Sequence, residues 1–166
     1  AGTLILAIAA TRGKARLLDV DSSHMNALMI KLSEAGVAFE EGDRTLTVDA
    51  THSLKPVDVV AVEYPGIATD LQAPFGAFLS TIPGVSHVED HVYPDRFTHI
   101  EELQHTGADF ELNERTLKVE GGTLHGAKMQ AADIRAGGAL IVAALAAHGT
   151  SVITGLQFIE RGYENI

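Results

Sequence analysis

Glu34-Ala35-Gly36-Val37-Ala38-Phe39-Glu40, followed by Asp43-Arg44-Thr45-Leu46-Thr47-Val48, returns later in the chain as His105-Thr106-Gly107-Ala108-Asp109-Phe110-Glu111 and Glu114-Arg115-Thr116-Leu117-Lys118-Val119. Gly36 maps to Gly107, Arg44 to Arg115 and Val48 to Val119, each at an offset of 71. The same offset carries Gly13 to Gly84 and Leu32 to Leu103, so the match is gapless and marks an internal repeat. A third copy opens at Ala132-Asp133-Ile134-Arg135-Ala136, which resembles Thr69-Asp70-Leu71-Gln72-Ala73 at an offset of 63. Gly84, Ser86 and Arg96 then map to Gly149, Ser151 and Arg161 at an offset of 65. The units fall at about 1–50, 57–120 and 127–166 of a single domain. The third stops before a second helix and hairpin, and the first lacks its opening, so the chain is expected to be cut at both ends.

Each unit reads the same way. An apolar helix comes first (Leu4 to Thr11, Leu71 to Thr81, Ile134 to His148), with Gly13, Gly84 or Gly149 expected to close it in the left-handed conformation. A strand follows (Ala15 to Val20, Ser86 to Val92, Ser151 to Phe158). Next comes an amphipathic helix, with Met25, Leu28, Met29 and Leu32 on one face in the first unit and Phe97, Ile100 and Leu103 in the second. Gly36 or Gly107 ends it, and a hairpin closes the unit: Ala38 to Glu41 with Thr45 to Asp49, and Asp109 to Leu112 with Thr116 to Glu120. An extra strand, Val57 to Glu63, leads into Pro65-Gly66. The predicted class is α/β, built of repeated βαβαββ-like units. The first helices are apolar nearly all round, which places helices inside and sheets outside.

Composition limits the partners. A chain of 166 residues that is 46% hydrophobic can bury a sizeable core. A net charge of -10 argues against nucleic acid or an anionic membrane as the main partner, since both attract basic surfaces. There is no cysteine, which removes disulfides and thiolate metal sites. The apolar run near Ala139 to Ala147 is too short to span a bilayer, and a cytoplasmic location is expected. His87 and His91 lie four apart on a predicted strand, a poor spacing for a metal, and no metal or cofactor is expected.

The repeat turns sequence equivalence into spatial equivalence. Asp70 and Asp133 are expected at helix N-termini at one end of the domain, with Arg96 and Arg161 each following a strand at that same end. Thr69 with Gln72 has the spacing of a capping box. Helix N-termini attract anions, and Arg96, Arg135 and Arg161 add donors suited to carboxylate and phosphate. Taken singly, an aspartate in a first helical turn is a cap and an arginine after a strand is a solvated charge. The residues by themselves imply an anion-binding site at helix N-termini and nothing finer.

Four strings in order carry a resemblance: Thr69-Asp70-Leu71-Gln72-Ala73, Asp95-Arg96-Phe97-Thr98-His99, Ala132-Asp133-Ile134-Arg135-Ala136-Gly137 and Arg161-Gly162-Tyr163-Glu164. Their order and spacing over the whole chain resemble the enolpyruvyl transferase family, in particular the UDP-N-acetylglucosamine 1-carboxyvinyltransferases of peptidoglycan precursor synthesis. The resemblance implies two domains, each an inside-out α/β barrel, with UDP-N-acetylglucosamine and phosphoenolpyruvate bound between them and no cofactor. It implies that Asp70 contacts the sugar 3-hydroxyl, that Asp133 and Arg135 stand near the reaction centre, that Val92 contacts the nucleotide sugar, that Arg96 helps order the site and that Arg161 binds phosphoenolpyruvate. The family's usual Glu-Asn before the arginine is replaced here by Pro94-Asp95; Pro94 removes a backbone donor and fixes φ, and a paralogue with another acceptor is an alternative. A repeat scaffold without catalysis is the alternative of a different class. The family's mobile loop and second domain have no counterpart in this chain, so the isolated chain is expected to be inactive and prone to self-association.

Overall fold

The computed structural model describes residues 1–93 and 96–163. Pro94, Asp95 and Glu164, which figure in the family motifs, lie outside the described residues.

In the first unit, helix α1 (Gly2–Ala10) leads into strand β1 (Lys14–Leu18), a 3-10 turn (Ser22–Met25), helix α2 (Asn26–Ala35) and the hairpin β2 (Ala38–Gly42) and β3 (Thr45–Asp49). The sheet order is β1-β3-β2, antiparallel throughout. The second unit opens with β4 (Val59–Ala61) and a 3-10 turn (Thr69–Leu71), then α3 (Gln72–Leu79), β5 (Gly84–Asp90), α4 (His99–Gln104), β6 (Asp109–Asn113) and β7 (Thr116–Gly121). Its sheet repeats the first as β5-β7-β6 and adds β4 parallel to β5. The third comprises β8 (Lys128–Gln130), α5 (Ile134–Ala146), β9 (Val152–Thr154) and the short helix α6 (Leu156–Ile159). Here β8 pairs parallel with β9.

The period-2 alternation of the hairpins explains their seating. Leu46 and Val48 in β3, and Leu117 and Val119 in β7, are fully buried and turn one sheet face to the core. The core itself is helical. Every residue of α3 is buried, and α1, α3 and α5 pack on one another. Pro74 is tolerated in α3 because the amides of a first turn have no partner within the helix. Gly2, Leu71 and Ile134 line one cleft while Ala10, Thr81 and Ala146 line another, so the three helices run parallel. At their C-terminal end the Arg12 guanidinium donates to the carbonyls of Ala9, Ala10 and Thr81, placing a cation where the helix dipoles favour one. Among the described residues no helix is long and apolar enough to cross a membrane.

Several expectations are corrected. The strand predicted over Ser151 to Phe158 covers only Val152–Thr154, because Gly155 takes a φ of 85° and turns the chain into α6, which buries Ile159. The strand predicted over Val57 to Glu63 shortens to Val59–Ala61. Strand β8 escapes sequence reading because its three residues show only one apolar side chain, Met129. Gly36 closes α2 with a φ of 106°, as expected. Gly13 does not close α1; Arg12 takes the positive φ of 54° instead, held by its own side chain. Gly84, at φ 120°, opens β5 rather than ending α3.

Candidate functional site

Two segments bring aspartates to the N-terminal end of the helix trio. Asp133 is the N-cap of α5, in extended conformation, and its Oδ1 accepts the N–H groups of Arg135 at 2.8 Å and Ala136 at 2.9 Å. That fixes the first turn, which carries Arg135. Asp70 lies one position inside the 3-10 turn before α3 and is exposed. The capping box predicted for Thr69 and Gln72 does not form. The Thr69 hydroxyl donates to Asp90 instead, and Gln72 is buried. The amides it would have capped belong to a 3-10 turn, whose geometry differs from that of an α-helical first turn.

Arg135 Nε lies 2.6 Å from Asp70 Oδ1. The Arg135 guanidinium also stands 5.5 Å from the centre of the Tyr93 ring, and that of Arg96 stands 3.9 Å from it. Tyr93 is therefore an aromatic surface shared by two cations. Asp70 and Arg135 line a cleft of about 260 Å³ with Gly2, Thr3, Ile134 and Tyr163. The Tyr163 and Thr3 hydroxyl oxygens are 2.8 Å apart. Gly138 makes that approach possible: a Cβ there would lie 2.7 Å from the Tyr163 hydroxyl. A roomier groove of about 310 Å³, lined by Ile141, Leu145, Ile153, Leu156 and their neighbours, has no charged side chain among the described residues that line it.

Of the residues predicted from sequence, the structure groups Asp70, Arg135 and Arg96, with Asp133 supporting the helix turn beneath Arg135. Val92 is half-buried, and its N–H donates to Asp90 Oδ1 at 2.8 Å. Arg161 is exposed after α6 and makes no ion pair among the described residues, while its neighbours Gly162 and Tyr163 line the cleft. Sequence reading missed Tyr93 and Asp90. An aromatic three positions before a site arginine is the signal that could have found Tyr93. Asp90 shows no such signal in one sequence. Among the described residues no group of His, Asp or Glu is arranged to hold a metal ion.

One further group stands close by. His99, at the start of α4, is 3% exposed, and its Nε2 has no hydrogen-bond partner among the described residues. Burial lowers its pKa to about 4, against the opposing pull of the Asp133 carboxylate. It is a neutral imidazole packed against the Phe97 ring, 6.1 Å away between centres.

The family described as EPSP synthase (3-phosphoshikimate 1-carboxyvinyltransferase) matches residues 1–166. The chain belongs to the EPSP synthase family. Within it, the chain is 51% identical over all its residues to the UDP-N-acetylglucosamine 1-carboxyvinyltransferase of Thermus thermophilus and 46% identical to that of Deinococcus radiodurans. It spans 39% of the length of each. Among solved structures it is similar to the enolpyruvyl transferase NikO of Streptomyces tendae, with a TM-score of 0.86 and 25% identity over 98% of this chain and 39% of that one. The EPSP synthase family thus accounts for the expected α/β fold.

Proposed function

We propose that the full-length protein containing this chain transfers the enolpyruvyl group of phosphoenolpyruvate to the 3-hydroxyl of UDP-N-acetylglucosamine. The observation that carries this reading is the Asp70–Arg135 pair, 2.6 Å apart in a cleft at the N-terminal end of three parallel helices. Identity of 51% to an enzyme named for that transfer supports it.

The transfer joins the acceptor oxygen to the central carbon of phosphoenolpyruvate and breaks that carbon's bond to the phosphate oxygen. Phosphate leaves, the hydroxyl gives up its proton, and a proton is added to and then taken from the methylene carbon. Asp70 has the position to orient the acceptor hydroxyl and take its proton. Arg135 occupies one carboxylate oxygen, Oδ1, and leaves Oδ2 for the acceptor. Orientation of this kind supplies a large part of many barrier reductions, and acid–base help adds roughly 10²–10⁴-fold. Arg96, Arg135 and Arg161 supply charge-assisted donors to the anionic groups of the substrates. Val92 meets the nucleotide sugar through its backbone. Asp133 acts by holding Arg135 in place. The protein is proposed to work in the cytoplasm and to close its site against a second domain.

The test is phosphate release from phosphoenolpyruvate with UDP-N-acetylglucosamine, measured on the full-length protein and on residues 1–166 alone. The full-length protein is expected to turn over and the isolated chain not to, since closure against a second domain completes such sites. Turnover by the isolated chain within about tenfold of the full-length rate would show that these 166 residues hold the whole catalytic set.

A further inference from the structure

Asp90 ends strand β5 and is 1% exposed, yet no cation pairs with it among the described residues. A buried carboxylate needs partners, and this one has them. Its Oδ1 accepts the N–H groups of Val92 and Tyr93, each at 2.8 Å, and its Oδ2 accepts the Thr69 hydroxyl at 2.5 Å. These donors come from the two segments that carry the site. Thr69 immediately precedes Asp70, while Val92 and Tyr93 lead into Arg96.

We propose that Asp90 is a positioning residue that sets the Asp70 turn and the Val92–Tyr93 segment in register with each other. The proposal rests on the transfer reading above. The contacts form a closed circuit: Asp90 holds Tyr93, the Tyr93 ring lies beside Arg135, Arg135 pairs with Asp70, and Thr69 returns the chain to Asp90. Strand pairing does not need the carboxylate, because Asp90 already sits in the ladder opposite Ala61 and the next amide, of His91, bonds to the Ala61 carbonyl. The side chain instead spans from one strand end to a separate turn. Misplacement of reacting groups by about an ångström costs on the order of 10²-fold in rate, so a brace here acts on catalysis without touching substrate.

The experiment uses the full-length protein with Asp90→Asn, Asp90→Ala, Thr69→Val and the Asp90→Ala/Thr69→Val double variant. Steady-state phosphate release, melting temperature and amide hydrogen exchange at Val92 and Tyr93 are read on each. Asp90→Ala is expected to lower kcat about 10–100-fold. Thr69→Val is expected to lower it several-fold, and the double variant to be no worse than Asp90→Ala, because both cut one connection. Asp90→Asn keeps an acceptor for both amides and can donate to Thr69, so it is expected to recover most of the rate. Additive losses, or losses that follow melting temperature across the set, would overturn the proposal. Thr69→Val removes a single half-buried donor, keeps the Asp90 bonds to both amides, and carries the test if Asp90→Ala does not fold. If the wild-type protein shows no transfer to UDP-N-acetylglucosamine, the transfer reading fails and exchange decides the brace by itself. Faster exchange at Val92 and Tyr93 in Thr69→Val supports it, and unchanged exchange removes it.

Discussion

Arg135 Nε and Asp70 Oδ1 meet at 2.6 Å across the N-terminal ends of α5 and α3, two helices that belong to different repeats. The two residues lie at non-equivalent positions of the repeat, so the symmetry of the scaffold brings together side chains that the symmetry itself does not pair. This is how a repeated frame generates one asymmetric site.

The pair is expected to matter to chemistry and little to stability. The Asp70 side chain is 71% exposed, and ion pairs in such settings contribute roughly 0–1 kcal/mol. Asp70→Asn in the full-length protein is expected to leave the melting temperature nearly unchanged while kcat falls by about 10²–10⁴-fold. Near-normal turnover with phosphoenolpyruvate and UDP-N-acetylglucosamine would remove both the orienting and the proton-accepting role.

Asp133 presents the opposite balance. Its Oδ1 serves two backbone amides at the start of the longest core helix, the task of an N-cap. Asp133→Ala is expected to cost about 0.5–2 kcal/mol of stability, and Asp133→Asn far less, because asparagine caps as well as aspartate does. Denaturant midpoints of the two variants give the comparison. If both variants stay stable and both lose activity, the carboxylate has a direct role beyond the cap.

The scaffold was largely legible from the repeat, and the site in part. Constant offsets located the core helices and hairpins, because a face buried in one unit must be buried in the next. The failures were local. Arg12 replaced Gly13 at the left-handed position because its guanidinium bonds back to the helix end, a compensation that no propensity includes. The Ser151–Phe158 segment has strand-like composition, but Gly155 divides it and burial of Ile159 draws its second half into a helical turn. Asp70, Arg96 and Arg135 came from motif spacing. Tyr93 and Asp90 depend on contacts between segments 20 or more residues apart, such as Thr69 with Asp90, and spacing along one chain does not report those.

Arg161 supplies a test of substrate assignment. It is exposed beside Gly162 and Tyr163, which line the Asp70 cleft, and has no ion-pair partner among the described residues. Hydrogen bonds to charged groups contribute roughly 1.5–3 kcal/mol each. Arg161→Ala is expected to raise KM for phosphoenolpyruvate by about tenfold or more, with a much smaller effect on UDP-N-acetylglucosamine. Equal weakening of both substrates would instead assign Arg161 to the general shape of the cleft.

His99 predicts a pH dependence whose sign follows from its burial. Its pKa is lowered to about 4 in the folded protein, chiefly by loss of solvent, whereas an unfolded chain holds histidine near its ordinary value of about 6.5. Between those values the unfolded state binds the proton and the folded state does not, so stability rises with pH across that window. The contribution is fully present above about pH 6.5 and is lost progressively as pH falls toward 4. Between pH 7 and pH 5 the loss amounts to about 2 kcal/mol. His99→Phe keeps a ring of similar shape against Phe97 and removes the titration, and at Nε2 no hydrogen bond to a described residue is sacrificed. Urea denaturation at pH 7 and pH 5 is therefore expected to show a wild-type stability difference about 2 kcal/mol larger than that of His99→Phe. An equal pH response in the two proteins would mean that His99 gains a proton in the folded state as readily as in the unfolded one, against the burial that lowers its pKa.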